Sequence, residues 1–197
     1  MPKLIVFKVF AVLHAVVALQ SNAARSALVE SDATPSIKEF VDVEEPIWTR
    51  ISTENATVLC KVDVRVRSQD DSIQFNRSFY MGYHNWTTYT CNGAFYQRSQ
   101  QNMRVTETGR GDYIEKLLYT GANQTCGVLV VKPVTSGSTE WYELRIRNSS
   151  ITRRTDRTCT EHLKKVAGSQ RNRTMFRRHC LHMLKIGNAT YSRWELQ

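Results

Sequence analysis

Apolar and polar residues alternate along most of the middle of the chain. Between residues 58 and 67, valine or cysteine occupies every second position, and mostly charged residues lie between them. A period of two is typical of a β-strand with one buried face and one mainly solvent-facing face. The pattern predicts that Val62 and Val64 are buried and that Lys61 and Asp63 face water.

Six further runs have strand character, and turn-forming residues separate them. The runs cover residues 72–83, 87–97, 103–108, 112–120, 126–132 and 140–147. No helical pattern lies between them, so consecutive strands are predicted to pair as antiparallel hairpins. A meander of this length closes most easily into an up-and-down β-barrel.

Helical spacing occurs only near the two ends of the chain. Thr34 and Pro35 form a cap and first-turn pair ahead of a short helix. A second helix is predicted after Cys159, with Gly168 as its stop signal. The apolar positions of these helices and of a further C-terminal turn or two are Ile37, Phe40 and Val41, then Leu163, Val166 and Ala167, then Phe176, Cys180, Met183 and Leu184. The predicted order of elements is helix, strands, helix.

The first 23 residues have the pattern of a secretory signal peptide. A mostly apolar run from Leu4 to Leu19 follows a basic start, and small residues precede a cleavage position near Ala23. The run is shorter than the roughly 20 residues that a transmembrane helix needs, and no later stretch is apolar enough to cross a bilayer. We therefore expect a cleaved signal, rather than a retained anchor, and a secreted extracellular protein.

Glycosylation triplets and cysteines agree with the secretory route. Seven of the ten asparagines stand in Asn-x-Ser/Thr triplets, where chance would give roughly two. They are Asn55, Asn76, Asn85, Asn123, Asn148, Asn172 and Asn188. Because glycans need solvent, these positions are predicted to lie on loops and outward faces. In an oxidising compartment the five cysteines are expected to form two disulfides and leave one odd thiol.

Length and composition limit the function classes. The chain has 197 residues, of which 41% are hydrophobic, and this excludes a disordered or fibrous protein. A Gly-x-Ser-x-Gly elbow, a His-Glu-x-x-His motif and a glycine-rich phosphate loop are all absent from the sequence. We predict no enzyme activity, no cofactor and no metal site.

The positive charge is concentrated at the C-terminal end. The formal net charge of +9 falls to +7 without the signal peptide, and divides into −3 for residues 24–144 and +10 for residues 145–197. The basic region is interpreted as a solvated face that keeps a secreted protein soluble. The alternative is a patch that binds glycosaminoglycan or an acidic host protein. A nucleic acid partner is disfavoured, since secretion separates the protein from nucleic acids.

Several short segments occur in an order that matches a known family. They are Glu45-Pro46-Ile47-Trp48, Cys60, Cys126-Gly127-Val128-Leu129-Val130-Val131, Tyr142-Glu143-Leu144-Arg145, Cys159 and Cys180. In order and spacing they resemble the tick salivary lipocalins, also called tick histamine-binding proteins. The resemblance covers about residues 37–180, and it does not rest on the Gly-x-Trp signature of vertebrate lipocalins, which is absent here.

The resemblance implies a single all-β domain over residues 24–197. Its fold is an eight-stranded antiparallel lipocalin barrel, or calyx, at about 45–148, with a short N-terminal helix and a C-terminal helical region packed outside it at about 156–197. It also implies disulfides joining Cys60 to Cys180 and Cys126 to Cys159. Cys91 then has no partner, and is expected to be a buried free thiol, a dimer-forming cysteine or a glutathione-capped one. A monomer is expected.

Members of the family bind small host mediators inside the barrel, and those that hold histamine use carboxylates and aromatic rings. A cationic amine needs negative charge in a low-dielectric cavity and stacks well on aromatic faces. The positions of this sequence that match the family's ligand residues are Glu45, Trp48, Tyr113, Glu115 and Glu143, with Asp42 as a looser candidate. Trp48 is equally interpreted as a plug at the closed end of the barrel, and Tyr113 as core packing.

Two departures from the family leave the ligand open. A carboxylate expected on the strand around Cys91 is missing, and the aromatic residue expected two positions after Glu143 is Arg145. Residues two apart in a strand share a face, so Arg145 is predicted to point into the same space as Glu143. It either neutralises that carboxylate or binds an anionic lipid mediator such as a leukotriene or fatty acid. The amine and lipid-mediator hypotheses both stay open, and cholesterol-like ligands and protein targets are further alternatives.

Overall fold

The computed structural model describes residues 34–81, 86–135 and 137–187, which all belong to one compact unit. The predicted signal peptide at residues 1–23 lies outside the described residues, and so do the acceptor sites Asn85 and Asn188. In the described part of the chain, no helix is long and apolar enough to cross a membrane.

Eight antiparallel strands form a closed barrel. They are β1 (Ile47–Ser52), β2 (Leu59–Ser68), β3 (Ser72–Tyr80), β4 (Trp86–Phe95), β5 (Asn102–Glu107), β6 (Gly111–Thr120), β7 (Cys126–Pro133) and β8 (Trp141–Arg147). Neighbours in sequence pair from β2 to β8, and β1 closes the ring between β8 and β2. The predicted fold class is confirmed, with one strand, β1, that the alternation pattern did not reveal.

The seam between β1 and β2 is short and is completed by the C-terminal segment. β1 pairs with β2 only at Ile47 and Trp48. Further along, it pairs with a two-residue strand, β9 (Arg173–Thr174). The next residue, Met175, donates its backbone N–H to Arg50 at 2.9 Å and accepts one from Cys60 of β2 at 2.8 Å. Residues 173–175 therefore fill the gap that opens where β1 and β2 diverge.

Within the described residues, three α-helices accompany the barrel. They are α1 (Ile37–Val41), α2 (Arg157–Ala167) and α3 (His179–Gly187). The N-cap of α1 is Ser36, whose hydroxyl accepts from the Glu39 N–H, and not the predicted Thr34. Thr34 and Pro35 lie just outside the helix because Ser36, two residues after Thr34, supplies the capping oxygen. The second helix ends at Gly168 as predicted, with φ of 56° at that glycine.

Two apolar clusters lie on opposite sides of the barrel wall. The inner cluster includes Phe40 from α1, which packs with interior side chains such as Met103 and Leu129. In the outer cluster, Val62 and Val64 of β2 pack with apolar residues of α2 and the C-terminal segment. Both faces of this part of the wall are therefore covered by protein.

The prediction that Lys61 and Asp63 of β2 face water is wrong. Lys61 is 5% exposed, and it points into the barrel together with Asp63, while Val62 and Val64 face the outer helices. The alternation does separate two faces of the strand. Both faces are buried, however, and the charged one is inside, because outer helices shield the valines and charged partners on other strands satisfy the lysine and the aspartate.

Two disulfides tie the helices to the wall. Cys60 of β2 joins Cys180 of α3 across 120 residues, and Cys126 of β7 joins Cys159 of α2 across 33 residues. This is the pairing that the family resemblance implies. Cys91 is the free cysteine, and it is buried.

Candidate functional site

Six charged side chains form an ion-pair network inside the barrel, which we call the interior network. Its members are Lys61, Asp63, Arg77, Glu115, Glu143 and Arg145. Five of them are at most 5% exposed, and the Asp63 side chain is 12% exposed. Three cations face three carboxylates, so the formal charge of the network is zero. Burying so many charges is tolerable only because each has opposite-charge partners.

Arg145 is the centre of the interior network. Its two terminal nitrogens donate to both oxygens of Glu115 at 2.7 and 2.9 Å, in the bidentate geometry that suits a guanidinium and a carboxylate. Its Nε donates to Glu143 at 2.7 Å, and one terminal nitrogen also donates to Asp63 at 3.4 Å. Burial alone would lower the pKa of Arg145, but Glu115 and Glu143 outweigh it and raise the pKa. The Arg145 guanidinium is therefore paired with three carboxylates of the chain itself.

Arg77 links Asp63 of β2 to Glu115 of β6. It donates to both oxygens of Asp63, at 2.8 and 2.7 Å, and to Glu115 at 2.8 Å. Burial alone would raise the pKa of Glu115, but Arg145 and Arg77 outweigh it and lower the pKa to about 2. Glu115 is thus a carboxylate held ionised by two guanidinium groups.

Glu143 holds the remaining cation of the interior network. The Lys61 ammonium donates to Glu143 at 2.6 Å and lies 3.6 Å from a carboxylate oxygen of Glu54. The Trp141 indole N–H also donates to Glu143, at 2.9 Å. Burial would raise the pKa of Glu143, but Lys61 and Arg145 outweigh it and hold the pKa well below its usual range.

The predicted ligand residues fall into three groups, of which one is Tyr113 alone, in the wall of a cavity that Trp141 also lines. Glu115, Glu143 and Arg145 come together inside the barrel, but they bind one another. Of the two roles open to Arg145 in the sequence, its geometry matches the neutralisation of Glu143.

Lys61 was missed as an interior residue, because its phase along β2 matches a wet face when the outer helices are not known. Arg77 was missed although it is in phase with the buried Phe75 and Phe79 of β3.

Glu45, Trp48 and Asp42 are not members of the interior network, although Glu45 lines a small interior cavity together with Asp63 and Arg145. Glu45 accepts from the backbone N–H and hydroxyl of Ser149, at 2.7 and 3.2 Å. Trp48 is fully buried in the outer cluster, where its ring meets Phe176 edge to face. Their ligand roles stay predictions that these contacts do not favour.

Asp42 is held at the end of α1 by its own set of partners. It accepts hydrogen bonds from Arg65 and Ser68, both at 2.7 Å, and pairs with Lys38 at 3.4 Å. Burial alone would raise the pKa of Asp42, but the Ser68 hydroxyl and the Arg65 and Lys38 cations outweigh it and lower the pKa. Its place in the fold gives this carboxylate the function of anchoring α1 to β2.

In the part of the barrel that the structure describes, two small cavities lie on either side of the interior network. The first has a volume of about 20 Å³ and lies near α1, with Val43 and Met103 in its wall. The second has a volume of about 40 Å³ and lies at the other end, which we call the barrel mouth. Since a small-molecule pocket typically measures about 300 Å³ or more, neither holds a whole mediator unless side chains move.

The mouth cavity contains an unused carboxylate oxygen. Glu107 at the end of β5 is 4% exposed, and its Oε1 accepts no hydrogen bond within the described part of the chain. The nearest cation, Arg110, is 3.9 Å away, which is too far for a hydrogen bond. Tyr113 and Trp141 line the same cavity, and their rings meet edge to face at 5.8 Å. Burial and the neighbouring Glu107 raise the pKa of Tyr113.

Glu107 was missed by the sequence reasoning, although the sequence carries a signal for it. Met103, Val105 and Glu107 occupy alternate positions of β5 and are all buried. An acidic residue in phase with the apolar positions of a strand is a candidate interior carboxylate.

Arg110 lies over the aromatic rings of the mouth. Its guanidinium is 5.4 Å from the centre of the Phe79 ring and 5.3 Å from that of Tyr89, within the range of a cation–π contact. Its side chain is 44% exposed, in contrast to the cations of the interior network. The aromatic rings and the carboxylate of the mouth are therefore arranged around a cation that can leave into solvent.

The remaining titratable group of the interior is the thiol of Cys91. It stands directly opposite Glu107 in the β4–β5 pairing. Burial raises the pKa of Cys91 to about 12, with Arg77 lowering it and Asp63, Glu107 and Glu115 raising it further. The thiol is held protonated, and this opposes a nucleophilic role.

Comparison with solved structures supports the fold and no closer relationship. AM182 in complex with serotonin matches with a TM-score of 0.54 and 16% identity, over 70% of this chain and 85% of that one. Japanin from Rhipicephalus appendiculatus bound to cholesterol matches with a TM-score of 0.53 and 11% identity, over 73% and 99%. Apocrustacyanin C2 matches with a TM-score of 0.51 and 8% identity, over 68% and 76%.

No protein-family profile matches the sequence, and no curated protein matches it. The fold is therefore established from the strand order, the closure by β1 and the helix that follows β8, together with the likeness to these structures. In these respects the chain has the lipocalin fold.

Proposed function

We propose that this protein is a secreted lipocalin that binds a small cationic amine at the barrel mouth and withholds it without chemical change. The observation that carries this proposal is the unused oxygen of Glu107, a buried carboxylate in a cavity lined by aromatic rings. An ammonium group satisfies that oxygen and stacks on those rings. The family resemblance, with histamine as the mediator, favours the same ligand class.

Charge complementarity favours a cation over an anion. The interior network is neutral, whereas the mouth adds two carboxylates, Glu54 and Glu107, and one further cation, Arg110. The nine side chains together sum to −1, and the remaining eight sum to −2 when Arg110 swings into solvent, so the mouth favours a cation over an anion. An anionic lipid headgroup instead needs an available cation, and the guanidinium of Arg145 is engaged by three carboxylates.

Entry of the ligand requires space that Arg110 now occupies. This side chain lies on the turn between β5 and β6, and its guanidinium covers Phe79 and Tyr89. If it swings into solvent, the ammonium group of the ligand takes over both its ring contacts and its position near Glu107. The exchange replaces one cation by another, and it leaves the interior network intact.

Replacing Glu107 with glutamine is expected to weaken the binding of a monoamine such as serotonin or tyramine by roughly 10- to 100-fold. A buried hydrogen bond to a charged group contributes about 1.5 to 3 kcal/mol, and each 1.4 kcal/mol corresponds to tenfold in affinity. Isothermal titration calorimetry on the secreted protein measures the change, with histamine, serotonin and a leukotriene as the three ligands.

The matched control is Glu44→Gln, which removes the same charge from a side chain that is 79% exposed. It is expected to leave the affinity unchanged. Saturable leukotriene binding without heat from any amine contradicts the proposal and supports the lipid-mediator alternative. An unchanged affinity in the Glu107 variant removes this residue from the site.

A second candidate function is retention on sulfated glycosaminoglycan, and one observation favours it. The described residues 150–187 contain ten Lys and Arg against two Asp and Glu, a net charge of +8. Seven of these cations are exposed and have no carboxylate within 4 Å in the described ranges: Arg153, Arg154, Lys164, Lys165, Arg171, Arg177 and Arg178. The apolar residues of the same elements pack inward, so the cations face outward.

Changing Lys165, Arg177 and Arg178 to alanine is expected to lower the salt concentration at which the protein elutes from a heparin column. Each cation that contacts a polyanion displaces a counterion, so its loss reduces both the affinity and the salt dependence of binding.

The control variant changes Arg67, Arg98 and Lys132, three exposed cations of the barrel strands and loops, to alanine. The net charge of the two variants is equal. Equal elution of the two variants contradicts a localised patch, because non-specific attraction depends on net charge alone.

A further inference from the structure

A groove with a volume of about 630 Å³ lies outside the barrel next to its mouth. The loop between β1 and β2 forms one side, the start of β8 the floor, and the segment after α2 the other side. The residues that matter here are Glu54, Asn55, Glu140, Trp141, Gln170 and Arg171. Glu54 and Trp141 also line the mouth cavity, so the groove and the cavity share a wall.

The loop that carries Asn55 is fixed in place. The Arg173 guanidinium donates to the backbone carbonyls of Glu54 and Ala56, on either side of Asn55. Across the groove, the Thr53 hydroxyl donates to Gln170 at 2.8 Å. Asn55 itself is exposed, and it is presented at the edge of the groove by a loop whose neighbours are held.

The groove has the chemistry of a carbohydrate site. Trp141 offers an aromatic face for the apolar C–H face of a pyranose ring. The carboxylate of Glu140, the amide of Gln170 and the guanidinium of Arg171 supply acceptors and donors for sugar hydroxyls and acetamido groups. All three of these polar side chains are exposed, so a sugar reaches them without displacing protein.

We propose that the groove holds the N-linked glycan of Asn55, with its first sugar against Trp141. Asn55-Ala56-Thr57 is an acceptor triplet. The donor is a lipid-linked oligosaccharide of the secretory pathway. The amide nitrogen of Asn55 bonds to the anomeric carbon, the lipid diphosphate leaves, and one amide proton is released.

A glycan on Asn55 has a structural role in addition to keeping the protein soluble. A glycan seated in the groove covers the outer side of Glu54 and Trp141, which form the wall of the mouth cavity. It stabilises that wall and narrows the approach to the mouth for bulky molecules, while a small amine still passes on the side of Arg110.

The chain offers a neighbouring acceptor site for comparison. Asn172 is exposed and lies between Arg171 and Arg173, which line the groove, but its own side chain does not line it. Because residues two apart share a side in an extended segment, Asn172 points away from the groove. A glycan on Asn172 therefore lies close to the same segment as the groove but does not bind in the groove, unlike the glycan on Asn55.

The test is site-resolved release of glycans by peptide N-glycosidase from the folded secreted protein. The amidase turns each released asparagine into aspartate, which mass spectrometry counts at each site. If the Asn55 glycan is docked nine-tenths of the time, its release is slowed roughly tenfold relative to Asn172, since only the undocked fraction reacts. In denatured protein the two rates are expected to be equal.

The variants Trp141→Ala and Glu140→Ala are each expected to speed release at Asn55 toward the rate at Asn172 and to leave Asn172 unchanged. Glu140 is exposed, so its variant tests the groove even when loss of the indole impairs folding. Equal native rates at the two sites overturn the proposal, as does an unmodified Asn55 in protein that carries glycan on Asn172. Amine binding is not measured, so failure of the amine proposal leaves this result unaffected.

Discussion

Replacing both cysteines of the Cys60–Cys180 bridge with serine is expected to lower the free energy of unfolding by roughly 5 kcal/mol. In the chain-entropy account, a disulfide restricts the unfolded chain in proportion to the logarithm of the loop it closes. The loop here spans 120 residues, against 33 for Cys126–Cys159. Urea unfolding of the protein with its disulfides formed, followed by circular dichroism, measures the loss.

The Cys126→Ser, Cys159→Ser variant is the internal comparison, with an expected loss of roughly 4 kcal/mol by the same relation. The loss at Cys60–Cys180 also includes docking of the segment that completes the β1–β2 seam, so it is expected to be the larger of the two. A larger loss at Cys126–Cys159 contradicts the importance of that seam.

Replacing Arg145 with methionine is expected to lower the free energy of unfolding by about 3 to 5 kcal/mol at neutral pH. Methionine is shorter but keeps an unbranched apolar stem. The change removes one of three cations from the interior network, so the buried site has a formal charge of −1, and uncompensated buried charge has this cost. The control is Arg157→Met, whose side chain is 85% exposed and pairs with Glu161 on the surface of α2. The control is expected to leave the unfolding midpoint nearly unchanged.

The pH dependence of the Arg145 variant tests the cause. In the wild type, the pKa values of Glu115 and Glu143 are lowered from a usual 4.5, so these groups stabilise the fold above that pH. This contribution is lost as the pH falls from 4.5 toward 2. The difference between wild type and the Arg145 variant is therefore expected to shrink below pH 4.5. A difference that stays constant down to pH 2 instead assigns the loss to packing.

Strand positions were predictable because each strand carries its own alternation. The run predicted at 126–132 is β7 at Cys126–Pro133, and the run at 140–147 is β8 at Trp141–Arg147. β1 was not predicted, since Ile47, Trp48 and Thr49 are buried in succession and give no period of two. A strand covered by helices on one side and by interior side chains on the other shows no alternation.

Which face of a strand lines the barrel was not predictable from alternation alone. In β2 the valines face the outer helices and Lys61 faces inward, because Glu143, 82 residues later in the chain, offers the lysine a buried partner. Such pairing depends on contacts between distant strands, which a single strand does not encode. The mouth is an intermediate case, since the phase of Glu107 with Met103 and Val105 is readable in the sequence, whereas its unused oxygen is not.

The segment that completes the β1–β2 seam is among the last parts of the described chain to be synthesised. Cys60 waits for Cys180, which at 5 to 20 residues per second arrives about 6 to 24 s later. During that interval Cys91, Cys126 and Cys159 are synthesised and are available to Cys60 as incorrect partners. We therefore expect thiol–disulfide exchange to be needed for any early incorrect bridge, and burial of Cys91 in the closed barrel removes that thiol from the competition.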